Sequence, residues 1–167
     1  MISQEGTGFL DHLEVLRRKI LLSAAVVVAA AGISLIFAGR LVDILELPMR
    51  GLDVSLVYLK PQEKLVTYLR VGLFTGLLVG IPFLIIEIAS FVVPGLTRRE
   101  RLWFIPSVGF VLLLFAGGTA FGYFLLTPFA LRFLVGFATE ETLLPLWSIG
   151  GYVQFVVSVV LVCGVLF

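Results

Sequence analysis

Apolar residues dominate four long stretches of the chain, and charged residues, prolines or polar loops bound the first three of them. The stretches cover residues 20–38, 71–93, 102–126 and 146–167. A helix rises about 1.5 Å per residue, so about 20 apolar residues cross the hydrocarbon core of a bilayer. The pattern therefore predicts an all-α fold, a polytopic membrane helix bundle with four spans in one transmembrane domain over residues 1–167.

Residues 39–70 form the longest predicted segment outside the membrane. Leucine and isoleucine recur at helical spacing until Pro48, which ends the turn. A short extended stretch is expected at residues 56–59, and residues 60–63 are expected to begin the next helix. The segment is thus predicted to fold as a compact outer cap. The residues assigned to this cap are Pro48, Pro61 and Glu63.

Two prolines and a set of regularly spaced glycines lie within the predicted spans. Pro82 and Pro106 each remove a backbone donor and are expected to kink their helices. The glycines recur every four residues, so they share one stripe of a helix and let another helix approach closely. We expect these stripes to pack helices within one chain rather than to form a dimer interface. The stripes consist of Gly72, Gly76 and Gly80 in the second span and Gly118 and Gly122 in the third.

The composition excludes a soluble domain. Hydrophobic residues make up 60% of the chain and charged residues 14%, against roughly 45–50% and 25% in soluble domains. The formal net charge of +1 argues against a nucleic-acid partner. His12 is the lone histidine, and no cysteine or acidic cluster at ligand spacing joins it. No catalytic or phosphate-binding motif appears either, so we expect no metal, no cofactor and no enzymatic activity.

The distribution of basic residues predicts which side of the membrane each segment faces. The link at residues 94–101 is short and carries three arginines and one carboxylate, Glu100. The loop predicted at residues 127–145 carries Arg132 beside two glutamates. Short basic segments close to span ends stay on the cytoplasmic side. We therefore expect a multi-pass membrane protein whose N-terminus and basic link are cytoplasmic and whose cap is outside.

Glu87 is the one carboxylate within a predicted span. It lies six residues before Val93, or about 9 Å below the inner end of its helix. A carboxylate at that depth reaches toward the headgroups, faces a wet cavity or is protonated. Two interpretations stay open: a functional polar site, or a side chain that pairs with a loop arginine such as Arg98 or Arg99. The first would suit a small secondary transporter or channel with Glu87 as its ion site.

The N-terminal residues 9–20 are amphipathic, with an apolar stripe on one side and a polar face on the other. Glu14 precedes Arg18 by four residues, so a local ion pair is one interpretation of this carboxylate. A role in binding is the other. The apolar stripe consists of Phe9, Leu13, Leu16 and Ile20.

The chain resembles a known family along nearly its whole length, most clearly in two segments. Residues 91–101, Phe-Val-Val-Pro-Gly-Leu-Thr-Arg-Arg-Glu-Arg, closely resemble the first cytoplasmic hairpin of TatC, the multispanning subunit of the twin-arginine protein translocase. Residues 12–19 are similar to the family's opening pattern His-Leu-x-Glu-Leu-Arg-x-Arg. Matches continue in order along the chain, from about Phe9 to Phe167. They include Pro48, residues 59–63, Arg70, Phe121, Tyr123, Phe124, Pro128, Ala130, Tyr152, Phe155 and Gly164.

The resemblance implies recognition of signal peptides with two adjacent arginines at the inner face of the cell membrane, in support of the transport of folded proteins. It also implies single-span TatA- and TatB-type partners and an oligomeric complex in the lipid bilayer. Paired guanidinium groups need carboxylate partners, and bidentate pairs are strong in a partly desolvated pocket. Glu100 is the chief candidate, with ion pairing to its flanking arginines as the alternative. The signal-peptide-binding residues implied are Glu14, Leu16, Arg17, Phe91, Pro94, Leu96, Glu100 and Arg101.

The chain departs from the family pattern at several positions. The opening glutamate aligns with Val15, and the nearest carboxylate, Glu14, lies about 100° round the helix from that position. Lys19 replaces the last arginine of the motif, and Glu87 replaces a neutral polar residue. The family continues past Phe167 with a glutamate and two further spans, so the chain is expected to stop within its fourth span. An inactive, truncated membrane scaffold is therefore a further alternative.

Overall fold

Six α-helices and two short strands make up most of the described chain. The structure, a computed structural model, describes the backbone at residues 5–50, 52, 54–138 and 146–167, and the side chains at 14, 17–50, 52, 54–137 and 146–167. In chain order the elements are α1 (Glu5–Ile36), α2 (Ala38–Glu46), β1 (Ser55–Val57), α3 (Glu63–Val92), α4 (Arg98–Phe121), α5 (Thr127–Ala138), β2 (Leu146–Ser148) and α6 (Ile149–Leu166). Short 3-10 helices lie at Leu47–Met49 and Val93–Gly95, and a π-helical turn lies at Gly122–Leu126.

Within the described residues, four helical segments are long and apolar enough to cross a membrane. They correspond to the four stretches expected from the sequence, and the all-α polytopic bundle is confirmed. The second and third segments extend beyond the expected bounds at both ends, whereas the first ends two residues earlier and the fourth begins after β2. Pro82 lies inside α3 and Pro106 inside α4, and the expected kinks stay a prediction. The segments are Arg17–Ile36, Glu63–Gly95, Arg98–Phe137 and Ile149–Leu166.

The third segment continues further than the sequence suggested. A loop was expected at residues 127–145, but α5 follows α4 directly through the π-helical turn. The Thr127 hydroxyl donates to the carbonyl oxygen of Gly122 at 2.7 Å within this turn. Pro128 directly follows this turn, and a local π-helical adjustment with a Thr side-chain bond accommodates a proline inside a membrane helix. Pro128 is therefore compatible with a helix, and residues 139–145 lie outside the described residues.

The cap between α1 and α3 contains a helix, a 3-10 turn and a strand. α2 follows α1 after Phe37, and Pro48 lies in the 3-10 turn that follows α2. The extended stretch expected near residues 56–59 is β1, which pairs in parallel with β2 and places Leu56 opposite Trp147. This pairing joins the cap to the start of α6. The sequence did not predict it because the two strands are distant along the chain.

The first glycine stripe packs α3 against α1 in antiparallel orientation. A Cβ atom added at Gly72 would lie 2.9 Å from Cγ of Leu35, and one at Gly76 would lie 2.8 Å from the backbone nitrogen of Ala31. Val27 faces the next glycine of the stripe. A larger side chain at these positions would meet the neighbouring helix. The stripe therefore packs helices within one chain, as expected.

The second glycine stripe packs α4 and the π-helical turn against α6. A Cβ atom at Gly118 would lie 2.5 Å from the carbonyl oxygen of Cys163, and one at Gly122 would lie 2.9 Å from the Cβ of the same cysteine. A hydrophobic cluster fills the space around α6. It comprises Val42, Leu45, Met49, Val71, Phe74, Leu131, Ile149, Tyr152, Val153, Val156, Val157 and Val160.

Candidate functional site

The connection between α3 and α4 forms one end of the bundle, here called the hairpin end. A 3-10 turn at Val93–Gly95 closes α3, and Thr97 is the extended N-cap residue of α4. The Glu100 carboxylate accepts a hydrogen bond from the Thr97 N–H at 2.8 Å. Thr97 and Glu100 form a reciprocal capping box, which satisfies backbone donors at the helix start. The spacing Thr-x-x-Glu thus determines where α4 begins.

The capping box also sets the position of the Glu100 carboxylate. From the sequence, an ion pair with a flanking arginine was the alternative to a binding role. No salt bridge involves Glu100 in the described part of the chain, and the residue is exposed. Glu100 is therefore an exposed carboxylate held by its own helix rather than by a neighbouring cation.

A polar cluster joins α1 to α3 near the hairpin end. The Lys19 ammonium lies 3.5 Å from the Glu87 carboxylate and donates a hydrogen bond to the Ser90 hydroxyl. The Ser90 hydroxyl donates in turn to the Glu87 carbonyl oxygen at 2.8 Å. The side chains of Lys19 and Glu87 are 24% and 20% exposed, so the pair is partly shielded from water. Glu87 thus has a basic partner inside the bundle.

The partner of Glu87 differs from the loop arginines that the sequence suggested, Arg98 or Arg99. The antiparallel packing of α1 on α3 brings Lys19 level with Glu87. Arg98, in contrast, begins a new helix beyond the 3-10 turn. Helix packing therefore decides the pairing, and the positions of charges along the chain do not.

The same antiparallel register sets the height of Glu14. Residues four apart on α3 contact residues four apart on α1, in the opposite order along the chain. The Lys19–Glu87 pair fits this antiparallel register. Extended by just over one helical turn, the register places Glu14 level with the start of the 3-10 turn in the hairpin. Glu14 is exposed and lies about 140° round α1 from Lys19. It therefore points away from the Glu87 pair at the hairpin end.

Glu14 and Arg18 form no salt bridge in the structure's described part, although their spacing allows one. Both side chains are exposed. The local ion pair that the sequence offered as one explanation of Glu14 is therefore not formed. The side chains of Val15 and Leu16 are not among those that the structure describes. The same holds for the side chains of the apolar stripe of α1 before Ile20.

The remaining residues implied by the resemblance surround the hairpin end. Phe91 and Leu96 are half-buried, and Pro94 is exposed between them. Arg17 is exposed on α1, and Arg101 is exposed on α4. The structure thus brings acidic, basic and apolar groups to one end of the bundle.

Glu63 links three segments at the opposite end, here called the cap end. Its carboxylate accepts hydrogen bonds from the N–H groups of Leu59 at 2.7 Å and Lys60 at 3.2 Å. It also accepts from the Gly150 N–H at 2.8 Å and from the Ser148 hydroxyl. A Cβ atom at position 150 would lie 2.9 Å from a Glu63 oxygen, so glycine suits this close approach. One carboxylate therefore joins the cap loop, α3 and α6.

Two tyrosine hydroxyls hold α2 on the bundle. Tyr123 donates to the carbonyl oxygen of Ile44 at 2.5 Å, and Tyr152 donates to that of Leu45 at 2.6 Å. Carbonyl groups at the end of a helix have spare acceptor capacity, and that of Ile44 also accepts from the N–H of the C-cap residue Leu47. Sequence reasoning missed these bonds, because nothing in the local pattern shows which carbonyl a distant tyrosine reaches.

The sequence matches the family described as Sec-independent protein translocase protein (TatC) over residues 11–167. The chain belongs to the TatC family. The TatC protein of Koribacter versatilis (strain Ellin345) is 34% identical over 99% of this chain and 64% of its own length. A chloroplastic TatC protein of Arabidopsis thaliana is 42% identical over 94% of this chain and 46% of its own length. The chain thus spans less than two thirds of these TatC relatives.

A solved TatC structure has the same fold. The crystal structure of the twin-arginine translocase receptor TatC matches with a TM-score of 0.80 and 31% sequence identity. The match covers 92% of this chain and 69% of the crystallised one. The polytopic helical fold inferred from the sequence therefore agrees with an experimentally determined TatC.

Lys19 and Glu87, two departures from the TatC pattern, contact each other in the structure. The Glu87 carboxylate in α3 is thus balanced by a basic residue in α1. Among the described residues, no group of three or more His, Cys, Asp or Glu side chains could hold a metal ion. The described hairpin end presents charged and apolar side chains.

Proposed function

We propose that this chain acts as the receptor subunit of a twin-arginine protein translocase. It binds signal peptides with paired arginines at the inner membrane face and supports the transport of folded proteins. Membership of the TatC family and the likeness to a solved twin-arginine translocase receptor support this proposal. The observation that carries it is the exposed Glu100 carboxylate, which the capping box holds at the hairpin end.

Glu100 suits an arginine ligand because its carboxylate is ordered before binding. A guanidinium group can bind a carboxylate through two parallel hydrogen bonds, and such charge-assisted bonds are about twice as strong as neutral ones. An ordered side chain also loses little conformational entropy when the ligand arrives. A preformed acceptor at the membrane surface therefore favours a peptide arginine over a hydrated lysine, whose ammonium lacks the planar fork.

The second arginine of the signal requires a second acceptor, for which Glu14 is the candidate. The register of α1 on α3 places Glu14 level with the hairpin, and its side chain is exposed. The half-buried Phe91 and Leu96 supply apolar surface for the hydrophobic stretch of the signal. The site thus combines two carboxylates with an apolar wall.

Replacing Glu100 by glutamine is expected to weaken binding of a twin-arginine peptide about tenfold or more, because a neutral amide forms no charge-assisted pair. Glutamine also serves in capping boxes, so the start of α4 should stay intact. The measurement is a titration of a fluorescent twin-arginine peptide against the purified chain in nanodiscs. A twin-lysine peptide controls for specificity, and an unchanged affinity of the variant would remove Glu100 from the site.

Glu14→Ala in the same titration tests the second acceptor. If Glu14 binds the second arginine, affinity should fall by a similar factor, and adding Val15→Glu should restore part of it. Asp43→Ala in the cap removes one exposed carboxylate far from the hairpin end and is the matched control. If Glu14→Ala leaves the affinity for the twin-arginine peptide unchanged, Glu14 is only a surface charge.

We place the N-terminus and the hairpin on the cytoplasmic side of the inner cell membrane, with the cap outside. The short basic hairpin supports this orientation. Ser55 is exposed at the start of β1, so a cysteine there in a Cys163→Ser background should react with a membrane-impermeant maleimide added from outside. Reaction from the cytoplasmic side alone would reverse the proposed topology.

The proposal includes single-span TatA- and TatB-type partners in an oligomeric complex, as the resemblance implies. The transporter or channel alternative requires Glu87 as a free ion site. Lys19 already pairs with this carboxylate, so no observation favours that alternative. The inactive-scaffold alternative predicts a chain that folds but does not bind the twin-arginine peptide, and the same titration tests it.

A further inference from the structure

We infer that the hairpin end also binds an anionic phospholipid, in a groove along the first turns of α4. The groove has a volume of about 470 Å³. Its lining residues are Arg98, Arg101, Leu102, Ile105 and Pro106. This inference rests on the arginines of α4 rather than on the carboxylates Glu14 and Glu100, and one of these arginines, Arg101, is also among the signal-peptide-binding residues that the resemblance implies.

The arginines of the hairpin end have no acidic partner in the described structure. The capping box engages Glu100, the carboxylate that lies among them. Within the described residues, the salt bridge that forms lies between α1 and α3 and includes none of Arg98, Arg99 and Arg101. All three arginines are exposed. A phosphodiester is the anion that a membrane supplies at its surface, and guanidinium groups bind phosphate through paired hydrogen bonds.

The groove combines charge at its surface end with apolar walls further along the helix. Arg98 and Arg101 lie about one turn apart, and Leu102 and Ile105 continue the same face by another turn. Leu102 is 72% exposed and Ile105 is 52% exposed, so little protein covers these side chains. A phospholipid presents the same order of groups, an anionic headgroup at the surface and an acyl chain below it. This match favours a lipid over a free phosphate.

The groove and the Glu100 carboxylate lie on different faces of α4. Around the axis of α4, Glu100 lies about 160° from Arg98 and about 140° from Ile105. Glu100 does not line the groove. Arg99 also lies outside the groove, about 100° from Arg98. A lipid can therefore stay bound while Glu100 remains accessible to a peptide, and Arg99 offers a control of equal charge in the same turn.

Native mass spectrometry of the purified chain with mixed phosphatidylglycerol and phosphatidylcholine tests the inference. The unaltered chain should retain one phosphatidylglycerol in preference to phosphatidylcholine. The double variant Arg98→Gln/Arg101→Gln should lose this preference about tenfold or more, since each arginine near an anionic lipid adds to its binding. Arg99→Gln should keep the preference within about twofold.

Several results would overturn the inference. An unchanged preference in the double variant would exclude the groove, and an equal loss in Arg99→Gln would indicate diffuse surface charge. Release of the lipid by millimolar inorganic phosphate would indicate a free-phosphate site. Melting in phosphatidylcholine alone checks the fold of each variant. If the double variant melts early, Arg98→Gln and Arg101→Gln are tested singly, and no loss of preference in either would also overturn the inference.

Discussion

Replacing Gly118 by alanine is expected to lower the free energy of unfolding by about 1–3 kcal/mol, the usual cost of forcing extra atoms into a packed contact. The new Cβ would lie 2.5 Å from the carbonyl oxygen of Cys163 on α6. That neighbour is backbone and cannot turn aside as a flexible side chain does. The Cβ of Phe167 would lie 2.7 Å away and add to the crowding. α4 and α6 must therefore move apart to admit one methyl group.

Gly117 supplies the matched control, because a Cβ there would meet nothing within 4 Å. Gly117→Ala adds the same methyl group one residue away and gains the higher helix propensity of alanine. Its stability should be unchanged or slightly raised. Thermal melting of both variants in detergent, followed by circular dichroism, measures the difference. Equal melting temperatures would contradict the close packing of Gly118 on α6.

Replacing Glu63 by glutamine is expected to loosen the cap end. One carboxylate oxygen accepts from Leu59 and Lys60, and the other accepts from Ser148 and Gly150. Glutamine has one acceptor oxygen and an NH2 group, so the donors on one side would face another donor. We expect the variant to melt at a lower temperature and its cap to be cleaved faster by added protease.

Glu46→Gln is the control for loss of negative charge in the cap. Burial raises the pKa of Glu46 above its ordinary value, Asp43 adds to the rise, and Arg50 opposes it. Surroundings that raise the pKa of a carboxyl group disfavour its charged form, so a neutral amide should cost little there. Equal melting temperatures and equal cleavage rates of the Glu46 and Glu63 variants would contradict a stabilising role of the Glu63 hydrogen bonds in the cap.

Features that depend on residues close together in the sequence were predictable from the sequence. Apolar length predicts membrane helices because a helix satisfies its own backbone polar groups in lipid. The spacing of Gly72, Gly76 and Gly80 predicts close packing within the chain, which α1 provides. The helical course through Pro128 was not predicted, because the π-helical turn before it depends on a bond from Thr127 that composition does not show.

Contacts between distant segments required the packed structure. Charge patterning identifies Glu87 as a carboxylate in need of a partner, but the antiparallel register of α1 and α3 selects Lys19 rather than a loop arginine. In the same way, Glu63 is recognisable as a cap residue, whereas its bond to the start of α6 depends on how the helices pack. A sequence shows which polar and charged groups need a hydrogen-bond or ionic partner when they are removed from water. Which partner satisfies each of them depends on the helix packing, because that packing brings residues distant in the chain within bonding distance.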